Sequence, residues 1–163
     1  MDAIVYTSNT GHTAAYARIL GDKTGLAVYS LDEACRALPK KAEIVYLGWL
    51  FVGGLKGYKK AARRFSVRAV CGVGLCDTGC LEAEVRKAIK LSAEIPLFNM
   101  QGGIDKTKLR GIYGYMIDML IKMMRKKKAP TADDQRMLAL LEADCDYVSE
   151  DNAAAFLAWY ANR

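Results

Sequence analysis

At 163 residues the chain suits one domain with a full core. Hydrophobic residues make up 52% and charged ones 26%, a globular balance that excludes disorder as a description of the whole chain. Five cysteines, an odd number without paired spacing, argue against a disulfide framework and for a reducing compartment. Cys71, Cys76 and Cys80 lie close together, but the only histidine, His12, stands far from them in sequence, so no metal site is expected.

No apolar run approaches the roughly 20 residues of a membrane span. The first strand begins at once, leaving no room for a cleavable signal, so the expectation is a cytoplasmic protein.

Short apolar runs rich in Val, Ile and Tyr recur at residues 3–6, 26–29, 44–50, 67–73 and 95–98. Between them the pattern predicts helices over 13–22, over 31–38 with Pro39 as its stop, over 55–65 with Lys56, Lys59, Lys60, Arg63 and Arg64 outward, and over 82–93. A last helix is expected over 151–161, with Asp151 as its cap and Ala155, Leu157, Ala158 and Tyr160 inward. This alternation predicts an α/β fold with a doubly wound parallel sheet covered by helices on both faces. All 163 residues form one domain, with an insertion over about 104–149. In such sheets ligands sit beyond the carboxyl ends of the strands, where strand order reverses.

Three segments leave those carboxyl ends. The first is Ser8-Asn9-Thr10-Gly11-His12-Thr13, between the first strand and the first helix. A tight strand-to-helix turn aims unpartnered N–H groups at one spot, and the helix dipole adds partial positive charge. Ser8, Thr10 and Thr13 add hydroxyls, Asn9 adds an amide, and Gly11 lets the backbone approach closely. Lacking lysine, this turn is neither a P-loop nor a dinucleotide turn, and it suits a phosphate monoester. The second segment, from Gly48 through Trp49, Leu50, Phe51, Val52 and Gly53 to Gly54, sets two large aromatics among glycines. The third runs from Gly72 and Val73 through Gly74, Leu75, Cys76, Asp77 and Thr78 to Gly79 and is rich in free backbone amides. A planar aromatic ligand would stack on Trp49 or Phe51 and bond its polar edge to the third segment.

These three motifs together resemble the flavodoxin family, whose first motif, Ser/Thr-x-Thr-Gly-x-Thr, is matched at Ser8, Thr10, Gly11 and Thr13. The resemblance covers nearly the whole chain. It implies a flavodoxin-like three-layer fold with five parallel strands in the order 2-1-3-4-5, and FMN as the cofactor. The phosphate would lie on residues 8–13 and the ring between the second and third segments. The third segment lacks the aromatic with which many flavodoxins sandwich the ring.

Residues 112–124 carry only Gly114, Asp118 and Lys122 as non-apolar positions, on one narrow helical stripe, so this helix is expected to bury most of its circumference. Lys122, Arg125, Lys126, Lys127 and Lys128 end it. Residues 105–128 hold eight basic against two acidic side chains, which accounts for the chain's whole net charge of +6 and leaves the remainder neutral. Electron-shuttle flavodoxins are acidic, so docking on basic partners is not expected here. The insertion resembles that of the flavodoxin-type, quinone-dependent protoporphyrinogen oxidases, which are membrane-associated, although Trp49-Leu50-Phe51 stands where those enzymes carry an Arg-Tyr pair.

The leading expectation is an FMN-binding redox protein that passes electrons to a protein or quinone, with no catalytic side chain. A second is an FMN-dependent oxidase or dehydrogenase acting on a large planar substrate, and a third is a flavin-free adaptor. The basic helix end offers a peripheral contact with the inner face of a membrane, or a homodimer surface. Nucleic-acid binding is not expected, because the aromatics are not interleaved with the charge.

Overall fold

The computed structural model describes residues 1–51, 54–109 and 111–163. Its elements alternate as expected: β1 (Ala3–Thr7), α1 (His12–Thr24), β2 (Ala27–Ser30), α2 (Leu31–Ala37), β3 (Glu43–Phe51), β4 (Gly54–Leu55), α3 (Tyr58–Arg64), β5 (Ser66–Gly74), α4 (Glu82–Ile89) and β6 (Leu97–Gln101). The insertion contributes β7 (Gly103–Ile104), α5 (Tyr113–Arg125), α6 (Ala132–Glu142) and β8 (Cys145–Asp146), and α7 (Ala154–Ala161) follows it.

The protein is α/β, with a mostly parallel central sheet ordered β2-β1-β3-β5-β6. Short β4 folds back antiparallel on β3, pairing Leu50 with Leu55. Strand order reverses at β1, from which the chain extends to β2 on one side and β3 on the other.

Alternate strand residues feed two cores, as the period-two pleat requires. Ile4, Val45 and Leu47 pack with Tyr16 and Leu20 of α1 and Phe156 of α7. Val5, Ile44 and Tyr46 face the other way, onto Ala34 of α2, Ala61 of α3 and Val85 of α4. The last helix thus docks through Phe156, while Ala155 and Ala158 are exposed. Asp151 is no cap for it, because residues 151–153 form a separate 3-10 turn and Ala153 occupies the cap position. Phe156 has the larger apolar surface to bury, so it, and not the flanking alanines, sets the rotation of the helix.

Two sequence boundaries shift. β3 extends to Phe51, so the segment read as a loop is largely a strand end. The third helix starts at Tyr58, because Gly57 at φ 82 closes the turn before it. A Cβ there would stand 2.1 Å from the Tyr46 hydroxyl, which itself lies 2.6 Å from the Lys56 carbonyl oxygen. Lys56 consequently points at the aromatic side chains of β3 and α5 instead of outward from α3.

The insertion forms a third, smaller core of Ile104, Ile117, Ile121 and Leu141, continuous with Phe51 of β3 and with Leu75. β7 and β8 pair antiparallel, and a Cβ on Gly103 would stand 2.1 Å from the Cys145 carbonyl oxygen, so only glycine fits that crossing. α5 does not bury most of its circumference. One face packs on α6, while Ile112, Tyr115, Met119 and Met123 are exposed. Its partner is a single helix of similar length, which can cover only one side. Among the described residues no helix is long and apolar enough to cross a membrane.

Candidate functional site

The turn after β1 leads straight into the first turn of α1. Gly11 caps α1 in the left-handed region at φ 110 and has no side chain with which to bond the first-turn N–H groups. Ser8 Oγ accepts from Gly11 N at 3.2 Å and closes the turn. Thr10 Oγ1 lies 2.9 Å from His12 Nδ1, and His12 Nε2 lies 3.8 Å from an Asp146 carboxylate oxygen of β8. His12 therefore links this turn to the insertion. Thr13 is buried at the base of the turn. By contrast, α2 and α6 close their N-termini with reciprocal capping boxes, Ser30 with Glu33 and Thr131 with Asp134.

The end of β3 supplies the aromatic wall. Tyr113 of α5 stands edge-on to Trp49 at 4.8 Å and to Phe51 at 5.6 Å between ring centres. Lys56 Nζ lies 5.2 Å from the Phe51 centre and 5.4 Å from that of Tyr113, holding the three rings by cation–π attraction. Leu50 leans over Gly72 and Gly74, where an added Cβ would come within 3.1–3.2 Å of its side chain. Val52 and Gly53 lie outside the described residues, and Gly54 sits in β4.

The segment after β5 divides in two. Gly74, Leu75 and Cys76 face inward, and Gln101 Nε2 donates to the Leu75 carbonyl at 3.3 Å. Asp77, Thr78 and Gly79 turn outward and act as anchors. Asp77 pairs with Arg136 of α6 at 2.7 Å, Thr78 Oγ1 accepts from Gln101 N at 3.0 Å, and Gly79 N donates to the Asn99 carbonyl at 2.9 Å. Asn99, buried in β6, donates from its side-chain amide to the Cys80 carbonyl.

Cys76 and Cys80 are joined by a disulfide, which corrects the expectation of unpaired thiols. A spacing of four residues is enough when the intervening Asp77-Thr78-Gly79 forms a turn, with Gly79 at φ 83. Cys35, Cys71 and Cys145 are free. Burial pushes the Cys71 thiol well up, so it is an inert core residue.

The three segments enclose one cavity of about 300 Å³ at the carboxyl edge of the sheet. Ser8, Asn9, Thr10, His12 and Thr13 line it from the first, Trp49, Leu50 and Phe51 from the second, and Gly74, Leu75 and Cys76 from the third. Gly11, Gly54, Asp77, Thr78 and Gly79 do not. None of the remaining lining residues was singled out in the sequence: Leu81 and Val85 at α4, and Gly103, Ile104, Leu109, Tyr113, Ile117, Leu120, Met137 and Leu141 from the insertion. Thr131-x-x-Asp134 ahead of Met137, Leu138, Leu140 and Leu141 is a capping-box signal for α6 that locates two of them.

Among the described lining residues there is no carboxylate, lysine or arginine. The cavity is an apolar slot with polar groups gathered at the α1 end, suited to a planar apolar body carrying an anionic tail. Compared with models of protein families and with curated proteins, the chain gives no match, so the chemistry of the site is argued from its own residues.

Proposed function

We propose that the protein binds FMN in this cavity and transfers electrons to a protein or quinone partner. The observation that carries the reading is the meeting, in one cavity, of the hydroxyl-rich start of α1 with the aromatic end of β3 and the loop after β5. The strand order supports it as well: without short β4, the five parallel strands run 2-1-3-4-5, the flavodoxin-like order. FMN, when bound, supplies the one- and two-electron chemistry.

The chain's own residues bind, orient and shield. Backbone N–H groups of the first turn of α1, with Ser8 and Thr10, hold the phosphate. Trp49, Phe51 and Tyr113 provide flat apolar surface for the ring, and the insertion residues Ile117 and Leu120 keep water from it. Tyr113 takes the place of the aromatic that the third segment lacks. The decisive comparison is a fluorescence titration with FMN and with riboflavin. The account expects saturable quenching by FMN and affinity at least about tenfold weaker for riboflavin, because one charged-group hydrogen bond is worth about 1.5–3 kcal/mol. Equal affinity for the two would remove the phosphate assignment.

One observation favours an enzymatic version, an FMN-dependent oxidase of the protoporphyrinogen-oxidase type. The insertion adds a methionine- and leucine-bearing wall, Leu120, Met137 and Leu141, beyond what a ring alone needs. The partner side of the proposal lies on α5. Exposed Tyr115, Met119 and Met123 form one stripe at spacing four, and Lys122 and Lys126 stand three residues on from Met119 and Met123. That pairing of an apolar stripe with cations suits the surface of an anionic membrane, where a quinone would be met. Arg125 and Lys127 are engaged with Glu142 and Asp134, so Lys122, Lys126 and Lys128 remain to meet headgroups.

A further inference from the structure

We propose that Cys76 and Cys80 form a thiol–disulfide exchange site, whose co-substrate is a thiol. The inference goes beyond flavin binding and does not depend on it. Three features carry it. The bridge closes a ring of only five residues, Cys76-Asp77-Thr78-Gly79-Cys80, and so short a loop removes little chain entropy from the unfolded state. The same turn is already held by four other contacts: Asp77 to Arg136, Thr78 to Gln101, Gly79 to Asn99, and Asn99 to the Cys80 carbonyl. A staple adds little to a turn so well fastened. Finally, the bridge is not sealed in the core. Both cysteines are half-buried, and the residues between them are exposed.

Local chemistry sets the direction of exchange. Cys80 stands directly before Leu81, the cap of α4, where unpartnered N–H groups favour an anion. Glu82 and Glu84 in the first turn of that helix oppose it, so the pair is a mild exchanger and not a strong oxidant. In the step itself a thiolate attacks Cys76 Sγ, the S–S bond breaks, and Cys80 leaves as a thiolate that takes a proton from water. A second thiolate then attacks the outer sulfur of this mixed disulfide, giving an external disulfide and releasing Cys76 as a thiolate that takes a proton from water. The site gains two electrons and two protons, and the two thiols lose them. Cys35, Cys71 and Cys145 take no part.

The test uses the whole native protein, equilibrated without oxygen in glutathione buffers of graded poise, and separately with a protein dithiol. Acid-quenched samples are alkylated and mapped by peptide mass. The expected result is that labelling of Cys76 and Cys80 rises together by about tenfold or more across the series, and reverses on reoxidation. Over the same series the circular dichroism stays native. In the variant Cys80→Ser, Cys76 is left as a thiol that attacks the oxidised glutathione of the buffer, so a mixed disulfide with glutathione should accumulate on Cys76, with no neighbouring thiol to resolve it. Faster reduction by glutathione, or by the dithiol, names which thiol the site serves. A bridge that survives every native buffer and opens only in denaturant overturns the proposal, as do two free thiols at these positions in the most oxidising buffer.

Discussion

Arg136 of α6 reaches Asp77, in the loop after β5, at 2.7 Å, and so ties the insertion to the opposite wall of the cavity. Both side chains are more than half exposed, so the pair contributes little to global stability, about 0.2–1 kcal/mol. Its effect is local. Arg136→Ala should leave the melting temperature almost unchanged but raise hydrogen exchange over Ala132–Glu142 and speed release of whatever occupies the cavity. Unchanged exchange in α6 would show that the insertion holds itself down without this contact.

Much of this arrangement was legible in the sequence. The βαβ alternation placed five strands within a few residues, because the inner strands β1, β3 and β5 carry apolar runs buried on both faces, while edge strand β2 is only half-buried. The first and third segments announced their positions through Gly11 and Gly74. The aromatic segment was read as a loop because Gly48 and Gly54 look like turn signals. In the structure Gly48 is instead a close approach, where a Cβ would meet the Lys56 carbonyl oxygen at 2.7 Å. Tyr113 was invisible as a site residue, since nothing local says that a helix more than sixty residues from Trp49 returns to pack on it. The Cys76–Cys80 bridge was missed for a different reason: counting cysteines tests for a scaffold, whereas a five-residue ring needs only a turn between them.

The phosphate assignment makes Thr10 the most sensitive single position, since it lines the cavity and its hydroxyl lies 2.9 Å from His12 Nδ1. Thr10→Val should weaken FMN by about 1–3 kcal/mol, roughly tenfold to a hundredfold, while riboflavin binding stays as it was. Parallel loss for both ligands would mean that the hydroxyl supports the fold of the turn and not a phosphate.

Tyr113 joins two edge-on aromatic pairs, each worth about 0.5–1.5 kcal/mol. Tyr113→Ala should therefore loosen α5 and shift the visible bands of bound flavin. Tyr113→Phe, which keeps the ring, should do neither. A spectrum of Tyr113→Ala identical to that of the parent protein would separate Tyr113 from the ring site.

Replacing Lys122, Lys126 and Lys128 with Gln should release the protein from anionic vesicles and leave flavin affinity intact. Each lysine near such a surface is worth about 1 kcal/mol, so the triple change should cost about a hundredfold in binding. Flotation of both forms with vesicles at low salt reads this directly. A parent protein that stays with the aqueous fraction would exclude the membrane reading.

Acid should loosen the insertion first. The Lys127 ammonium, then the Thr131 backbone N–H and hydroxyl, hold the Asp134 carboxyl down to about 2, and Lys108 with Thr107 does the same for Asp105. With folded values below the unfolded value of about 4, the stabilisation is fully present above pH 4 and fades as pH falls through 2. Hydrogen exchange over Ala132–Glu142 should thus stay constant from pH 7 to about 5, after allowance for intrinsic rates, and rise below about 4. Asp134→Asn should flatten that rise.

The most direct measurement is an absorption spectrum of the purified protein from about 300 to 700 nm, before and after addition of FMN and desalting. Flavin bands that remain with the protein, shifted from those of free FMN as a ring in an apolar slot requires, are the predicted result. A protein that emerges colourless under both conditions would contradict the account and leave the basic insertion as an adaptor surface.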